Sequence, residues 1–182
     1  MFTHQLNDDT SLKLLTLQDA PALFSLVDNS REHLRPWMPW CDATKEVSDS
    51  EKFIQATMTK FANHNGFEAG IWYRGEIAGV IGFHYVDWHN RKTSIGYWLG
   101  ESFTGKGLVT LASKALINHA FDTYDLTRIN LCAAVENKAS QAVAARLGFT
   151  KEGVTRRALR VGDVFQDCVE YGLLKEEWTN RT

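Results

Sequence analysis

Long apolar runs are missing from this chain of 182 residues. No stretch approaches the roughly 18 consecutive apolar residues that span a bilayer, so no transmembrane helix is expected. The N-terminus, MFTHQLNDDTSLKLL, lacks a basic flank followed by an apolar core, so no signal peptide is read there. Cysteine is scarce. Cys41, Cys132 and Cys168 are odd in number and widely spaced, which excludes a disulfide framework and a CxxC metal site and points to a reducing cytoplasm. An excess of one charge is also lacking. Twenty Lys and Arg stand against 22 Asp and Glu, giving a net charge of −2. No global positive field would draw the chain to nucleic acid or to an anionic membrane. The six histidines form no HExxH or comparable ligand spacing, so no metal is implied. Neither the P-loop pattern nor GxGxxG occurs, the latter because position 110 is Thr.

Enough apolar sequence remains to build a core. Hydrophobic residues are 44% and charged residues 23% of the chain, the balance of a globular domain. There is no linker, low-complexity segment or internal repeat, so residues 1–182 read as one domain. Leu12–Leu15 suggests a first strand. Thr16 or Asp19 can cap a helix that places Ala20, Leu23, Phe24 and Val27 on one face. Leu34–Trp40 holds two of the three prolines and reads as an irregular loop. Ser48 and Glu51 have the spacing of a capping box, ahead of a helix with Phe53, Ile54, Thr57, Met58 and Phe61 at helical intervals.

The period then changes. Phe67–Tyr73 and Ile77–Tyr85 alternate on either side of Arg74-Gly75, the pattern of a hairpin with a two-residue turn. Thr93–Leu99 follows as another strand. Gly105-Lys106-Gly107 leads into a helix striped by Leu108, Leu111, Ala112, Ala115 and Leu116. A strand over Thr127–Val135, a helix over Lys138–Leu147 stopped by Gly148, and strands near Phe149–Arg157 and Val164–Leu174 complete the chain. The order βαα–βββ–αβ–αββ predicts an α/β (α+β) domain, with a mixed sheet of about seven strands flanked by about four helices.

Chemistry concentrates at Thr104-Gly105-Lys106-Gly107. A helix start leaves about four backbone N–H groups unpaired beside the positive end of its dipole. Glycines let an anion approach them closely, and Lys106 and the Thr110 hydroxyl add further donors. Such a loop is also often only a turn.

Four motifs in order carry a resemblance. Ile95-Gly96-Tyr97-Trp98-Leu99, Phe103-Thr104-Gly105-Lys106-Gly107, Val135-Glu136-Asn137-Lys138-Ala139-Ser140 and Leu147-Gly148-Phe149 resemble the GNAT superfamily of acyl-CoA N-acyltransferases. Among its members they resemble the RimJ/RimL-type protein Nα-acetyltransferases most. The final Val169–Leu174 is similar to that group's last strand, so the likeness covers nearly the whole chain. The resemblance implies acetyl-CoA as co-substrate and no metal. It implies a bulged strand at Ile95–Leu99 that splays from Thr127–Val135, with the pantetheine arm in the gap, bound by the main chain of Trp98 and Leu99. The pyrophosphate would lie on the amides of Gly105, Lys106, Gly107, Leu108, Val109 and Thr110. Asn137 would hydrogen-bond the cofactor arm, and Ser140 would protonate the departing thiolate. Capping of the helix by Asn137, with Ser140 as a first-turn serine, is the plainer reading of the same residues. The family's loop usually opens on Gln or Arg where Thr104 stands, and carries Gly or Ala where Val109 stands.

The nucleophile must be a neutral amine. An α-amine, with a reference pKa of about 7.7–8.0, supplies more of that form at neutral pH than a lysine at about 10.4. Many family members carry a carboxylate on the central strand, where this chain offers only Ser94. Glu68, His84, Asp87 and Glu170 remain as candidate bases, with Glu68, acting through water, the expectation. Leu34–Trp40 resembles the substrate-side loop of RimL-like enzymes, which puts Trp37 and Trp40 on the acceptor side as rings of a mobile loop, with His84 near them. The expected activity is direct transfer of acetyl from acetyl-CoA to a protein α-amine, such as a ribosomal protein N-terminus, in the cytoplasm. A small amine acceptor (polyamine, amino sugar or aminoglycoside) and a non-catalytic CoA-binding module are the alternatives. Homo-oligomers are common among such folds, and the sequence identifies no interface.

Overall fold

The computed structural model describes residues 3–179. In chain order its elements are strands β1 (Thr3–Gln5) and β2 (Thr10–Leu14), and helices α1 (Ala20–Asn29), α2 (Arg31–Leu34) and α3 (Val47–Ala62). Strands β3 (Glu68–Tyr73), β4 (Glu76–Asp87) and β5 (Lys92–Leu99) follow, then helix α4 (Leu108–Asn118) and strand β6 (Arg128–Ala134). Helix α5 (Lys138–Leu147), strands β7 (Thr150–Val161) and β8 (Val164–Leu174) and helix α6 (Lys175–Thr179) close the chain. Among the described residues, eight strands form one sheet in the order β1-β2-β3-β4-β5-β6-β8-β7. Sequence reading had expected about seven strands and four helices. It missed the short β1, α2 and α6, which carry too few residues to show a period.

Local chemistry explains most boundaries. Arg74 and Gly75 both take positive φ, 52° and 87°, the turn geometry whose twist suits a two-residue hairpin. Gly148 ends α5 at φ 84°. Asp19 accepts the Thr16 N–H at 2.8 Å ahead of α1. At α3 the expected Ser48–Glu51 box does not form. Asp49 instead accepts the N–H groups of Lys45 at 3.0 Å and Glu46 at 3.3 Å, so the helix begins at Val47, and Ser48 donates to Glu46. The apolar stripe of α3 is also narrower than its spacing suggested. Ile54 and Thr57 are buried, while Phe53, Met58 and Phe61 are exposed.

The sheet buries both faces. Ala69, Ile71, Ala78, Ile81, Phe83 and Ile95 pack with Leu108, Ala112, Leu116 and Ile117 of α4 on one face. Ile77 and Val80 pack with Leu23 and Leu26 of α1 and Ile54 of α3 on the other. One strand pair departs from the antiparallel pattern. β5 and β6 run parallel and pair only at Lys92–Arg128, Thr93–Ile129 and Ser94–Asn130. Beyond that point β5 stays with β4 up to Gly79–Leu99, and β6 stays with β8 up to Ala134–Cys168. The sheet therefore opens into a gap between residues 95–99 and 131–134. The splay agrees with expectation, but the bulge is not on β5. Phe83–Ile95 and Val86–Thr93 are consecutive registers, so the extra residue lies on β4, at His84 and Tyr85, opposite Ser94. Among the described residues, no helix is long and apolar enough to cross a membrane.

Candidate active site

The gap opens into a cleft of about 1380 Å³ that reaches both faces of the sheet. That is larger than the roughly 300–1,000 Å³ of an ordinary small-ligand pocket. Of the residues singled out in the sequence, Trp37, Trp40, Glu68, His84, Trp98, Leu99, Gly105, Gly107, Leu108, Val109, Thr110, Asn137 and Ser140 all line it. Lys106 does not. Its ammonium turns back to donate to the Ser102 carbonyl at 2.7 Å.

On the α4 face the wall consists of the glycine loop, the start of α4 and two basic side chains. Gly105 and Gly107 adopt φ of 75° and 74°, and a Cβ on either would meet nothing within 4 Å. Backbone conformation, not crowding, is what calls for glycine there. The first turn of α4 presents its free N–H groups to the cleft. Arg146, a residue the sequence reading missed, donates to the Thr110 hydroxyl at 3.0 Å, and with Lys114 it adds positive charge at this end of the cleft. Thr104 is engaged inside the loop, where its hydroxyl donates to Glu101 at 2.8 Å. The Val109 side chain is buried, and it also lines the cleft.

A second missed residue closes the gap. Alternation along β5 puts Tyr97 on the face opposite Gly96 and Trp98, toward α5. Its hydroxyl lies 3.0 Å from the Ser140 hydroxyl. Burial pushes the Tyr97 phenol up to about 12, so it stays protonated at neutral pH. Asn137 Oδ1 accepts the Ser140 N–H at 3.1 Å, the geometry of a helix cap.

The opposite face carries the aromatic loop and the titratable groups. Arg31 forks to the carbonyls of Cys41 at 2.6 Å and Thr44 at 2.8 Å. Gln166 of β8 donates to Pro36 at 2.9 Å. Pro36 in the loop is thus tied to the β7–β8 hairpin, and the segment just after the loop to α2. Trp40 meets Trp98 with ring centroids 5.3 Å apart. Glu68 pairs with Lys60 of α3 at 2.8 Å, with only 11% of its side chain exposed. Burial raises the Glu68 carboxyl, and Lys60 opposes the shift. Burial and the Lys60 charge lower His84. Cys132 also lines the cleft. Burial foremost, with Cys168 and Glu170 beside it, drives its thiol pKa far up, the reverse of an activated nucleophile. Sequence reading missed it because a lone Cys in an alternating strand carries no signal of its surroundings.

Comparison with known proteins follows the same lines. The family profile described as acetyltransferase (GNAT) domain matches residues 10–150. The protein YdaF of Bacillus subtilis (strain 168), whose name marks it as a candidate ribosomal N-acetyltransferase, is 38% identical over 179 residues, spanning 98% of each chain. The solved structure of the microcin C7 self-immunity acetyltransferase MccE, in complex with acetyl-CoA and AMP, is 35% identical with a TM-score of 0.90, covering 93% of this chain and 94% of its own. RimL, a ribosomal L7/L12 α-N-protein acetyltransferase solved with coenzyme A, is 27% identical with a TM-score of 0.90, covering 94% of this chain and 97% of its own.

Proposed function

Because this chain belongs to the GNAT acetyltransferase family and is an N-acetyltransferase, we propose that it moves acetyl from acetyl-CoA directly to the α-amine of a protein N-terminus, a ribosomal protein being the favoured acceptor. The observation that carries this reading is the gap between β5 and β6. It joins an anion-binding helix start on one face to an aromatic wall with titratable groups on the other. Acetyl-CoA supplies the acetyl group as a thioester. The first turn of α4, Gly105, Gly107 and Arg146 hold its phosphates. The main chain of Trp98 and Leu99 lines the arm, with Asn137 beside it.

Ser140 supplies the proton to the leaving sulfur, with its hydroxyl held by Tyr97. The acceptor enters on the Trp37 and Trp40 side, where Glu68 and His84 wait for the proton that nitrogen must lose. Holding amine and thioester together supplies much of the acceleration. The raised thiol of Cys132 argues against an acyl-enzyme. The free thiols Cys41, Cys132 and Cys168 suit the cytoplasm, where such an acceptor is met. We take residues 1–182 as a single catalytic domain.

A second reading has an observation of its own. Trp37, Trp40 and Trp98 line the acceptor wall, and MccE holds AMP. An α-amine borne on a small molecule with a nucleobase could stack there.

The test is thiol release from acetyl-CoA with two matched peptides. One has a free Ser N-terminus and no Lys; the other has a blocked N-terminus and an internal Lys. Turnover of the first alone is expected. Turnover of the second alone would move the acceptor to lysine, and silence on both would turn attention to small amines.

A further inference from the structure

Two glycines lie side by side on the acceptor face of the sheet. Gly82 of β4 pairs with Gly96 of β5, and Glu68 of β3 pairs with Gly82. Side chains on the flanking strands fold over this bare strip. A Cβ on Gly82 would fall 2.2 Å from Glu68 Oε2, and one on Gly96 would fall 2.2 Å from His84 Nε2. Either contact is far inside van der Waals distance. A Cβ on Gly82 would also meet the Phe67 carbonyl oxygen at 2.2 Å, so that position needs glycine wherever Glu68 lies, whereas Gly96 needs it for as long as the His84 ring lies there. Directly paired residues have Cα atoms roughly 4.5–5.5 Å apart. The carboxylate and the imidazole therefore rest on neighbouring positions, close enough for one water to bridge them.

The two groups differ in freedom. Glu68 Oε1 is taken by Lys60 at 2.8 Å. The His84 side chain has no hydrogen-bond partner among the described residues. It also sits where the strands part: the bulge at His84 and Tyr85 is opposite Ser94, and Ser94–Asn130 is the last pair before β5 and β6 separate. The bulge thus aims an imidazole at the mouth of the gap, at the level where a thioester passing between the strands would meet the acceptor.

We propose that His84 is the base that removes the proton from the acceptor amine, with Gly96 as its seat and the Lys60–Glu68 ion pair as its positioning neighbour. This rests on the acetyl-transfer reading and not on which amine is used. The amine nitrogen bonds the thioester carbon, and His84 Nε2 takes the proton that nitrogen sheds. The C–S electron pair leaves on sulfur, which receives a proton from Ser140, and the imidazolium returns its own to solvent, from which Ser140 is reprotonated. The charged and titratable groups around His84 are Lys60 from α3, Glu68 from β3 and Cys132 from β6 across the gap, with His33 and Asp49 farther along the same cleft. Burial and Lys60 keep the imidazole neutral near pH 7, the form that can accept a proton.

The experiment uses the full chain and whichever acceptor the peptide assay turns over, peptide or small amine. A lysine acceptor would thus end the α-amine reading without touching this test. His84→Ala is expected to lower kcat by about a hundredfold or more with the acetyl-CoA KM unchanged. It should remove the acid limb of the pH–rate profile, and added imidazole should restore at least tenfold of the loss. Gly96→Ala should lower kcat in the same way by displacing the ring. Glu68→Gln should keep the limb. Calorimetric binding of acetyl-CoA by each variant identifies any that fails to fold. The proposal is overturned if His84→Ala stays within threefold of wild-type kcat, or if it keeps the acid limb while Glu68→Gln loses it.

Discussion

Tyr97 on β5 and Ser140 on α5 meet hydroxyl to hydroxyl at 3.0 Å, bridging the gap where the sheet opens. They are 43 residues apart in the chain, and among the described residues the Tyr97 hydroxyl bonds only Ser140. The contact ties the first turn of α5 to the strand that lines the opposite wall. If Ser140 delivers the proton to sulfur, Ser140→Ala should lower kcat by about a hundredfold. Tyr97→Phe should lower it by only about three- to tenfold, the worth of one positioning hydrogen bond. Acetyl-CoA affinity should hold in both. Steady-state kinetics with calorimetry checks this, and an unchanged kcat in Ser140→Ala would remove Ser140 from the mechanism.

Gly107 sets the start of α4 at φ 74°, a conformation that L side chains rarely adopt. Gly107→Val should raise the KM for acetyl-CoA about tenfold or more, because relaxing the strain would turn the first-turn N–H groups away from the phosphates. Arg146→Ala should raise it less, and more in low salt than in high, since its guanidinium is exposed. Equal KM values for wild type and Gly107→Val would show that the loop is a turn and not a phosphate cradle.

Trp40 meets Trp98 with ring centroids 5.3 Å apart and planes tilted by 54°. Trp40→Ala should raise the acceptor KM by about tenfold and leave that of acetyl-CoA nearly unchanged. It should also cost about 1 kcal/mol or more in stability, because an aromatic pair is lost along with its buried area. A parallel rise in both KM values would assign the ring to structure alone.

Cys132 lies in the cleft but is held as a thiol by burial, Cys168 and Glu170. Cys132→Ser should retain turnover within about threefold, and no acetylated protein should accumulate before the acceptor is added. Intact mass spectrometry after incubation with acetyl-CoA alone reads this directly. A stoichiometric +acetyl species lost in the Ser variant would establish the acyl-enzyme that the raised thiol argues against.

Burial lowers both His84 and His119. A depressed histidine binds its proton more weakly folded than unfolded. Stability should therefore be full above about pH 6.5 and fall as pH drops below it toward the folded pKa values. Urea midpoints at pH 7.5 and pH 5.5 should differ less for His119→Gln than for wild type, if the variant folds as wild type at the higher pH. An identical loss in both would mean that His119 takes no part.

Much of the architecture was legible without coordinates. Period-two alternation marked β3, β4 and β5, Arg74-Gly75 marked their turn, and Gly148 marked the end of α5, because each is a local steric rule. The glycine turn ahead of α4 was legible for the same reason. Less local features escaped. The start of α3 is set by Asp49 on the Lys45 and Glu46 N–H groups and not by a Ser48–Glu51 box, since several nearby side chains can each cap a different N–H group. The bulge belongs to β4 and not to β5, since register is a property of two strands together.

By itself the sequence determined which segments alternate, which turn, and that a glycine loop precedes a helix, all outcomes of φ/ψ preference and side-chain period over a few residues. Only the tertiary structure decided that Tyr97 faces Ser140, that Arg146 joins Thr110, that Lys60 occupies Glu68 and that His84 lies over Gly96. Each of these depends on strands and helices far apart in the chain meeting in one register, which no local preference encodes.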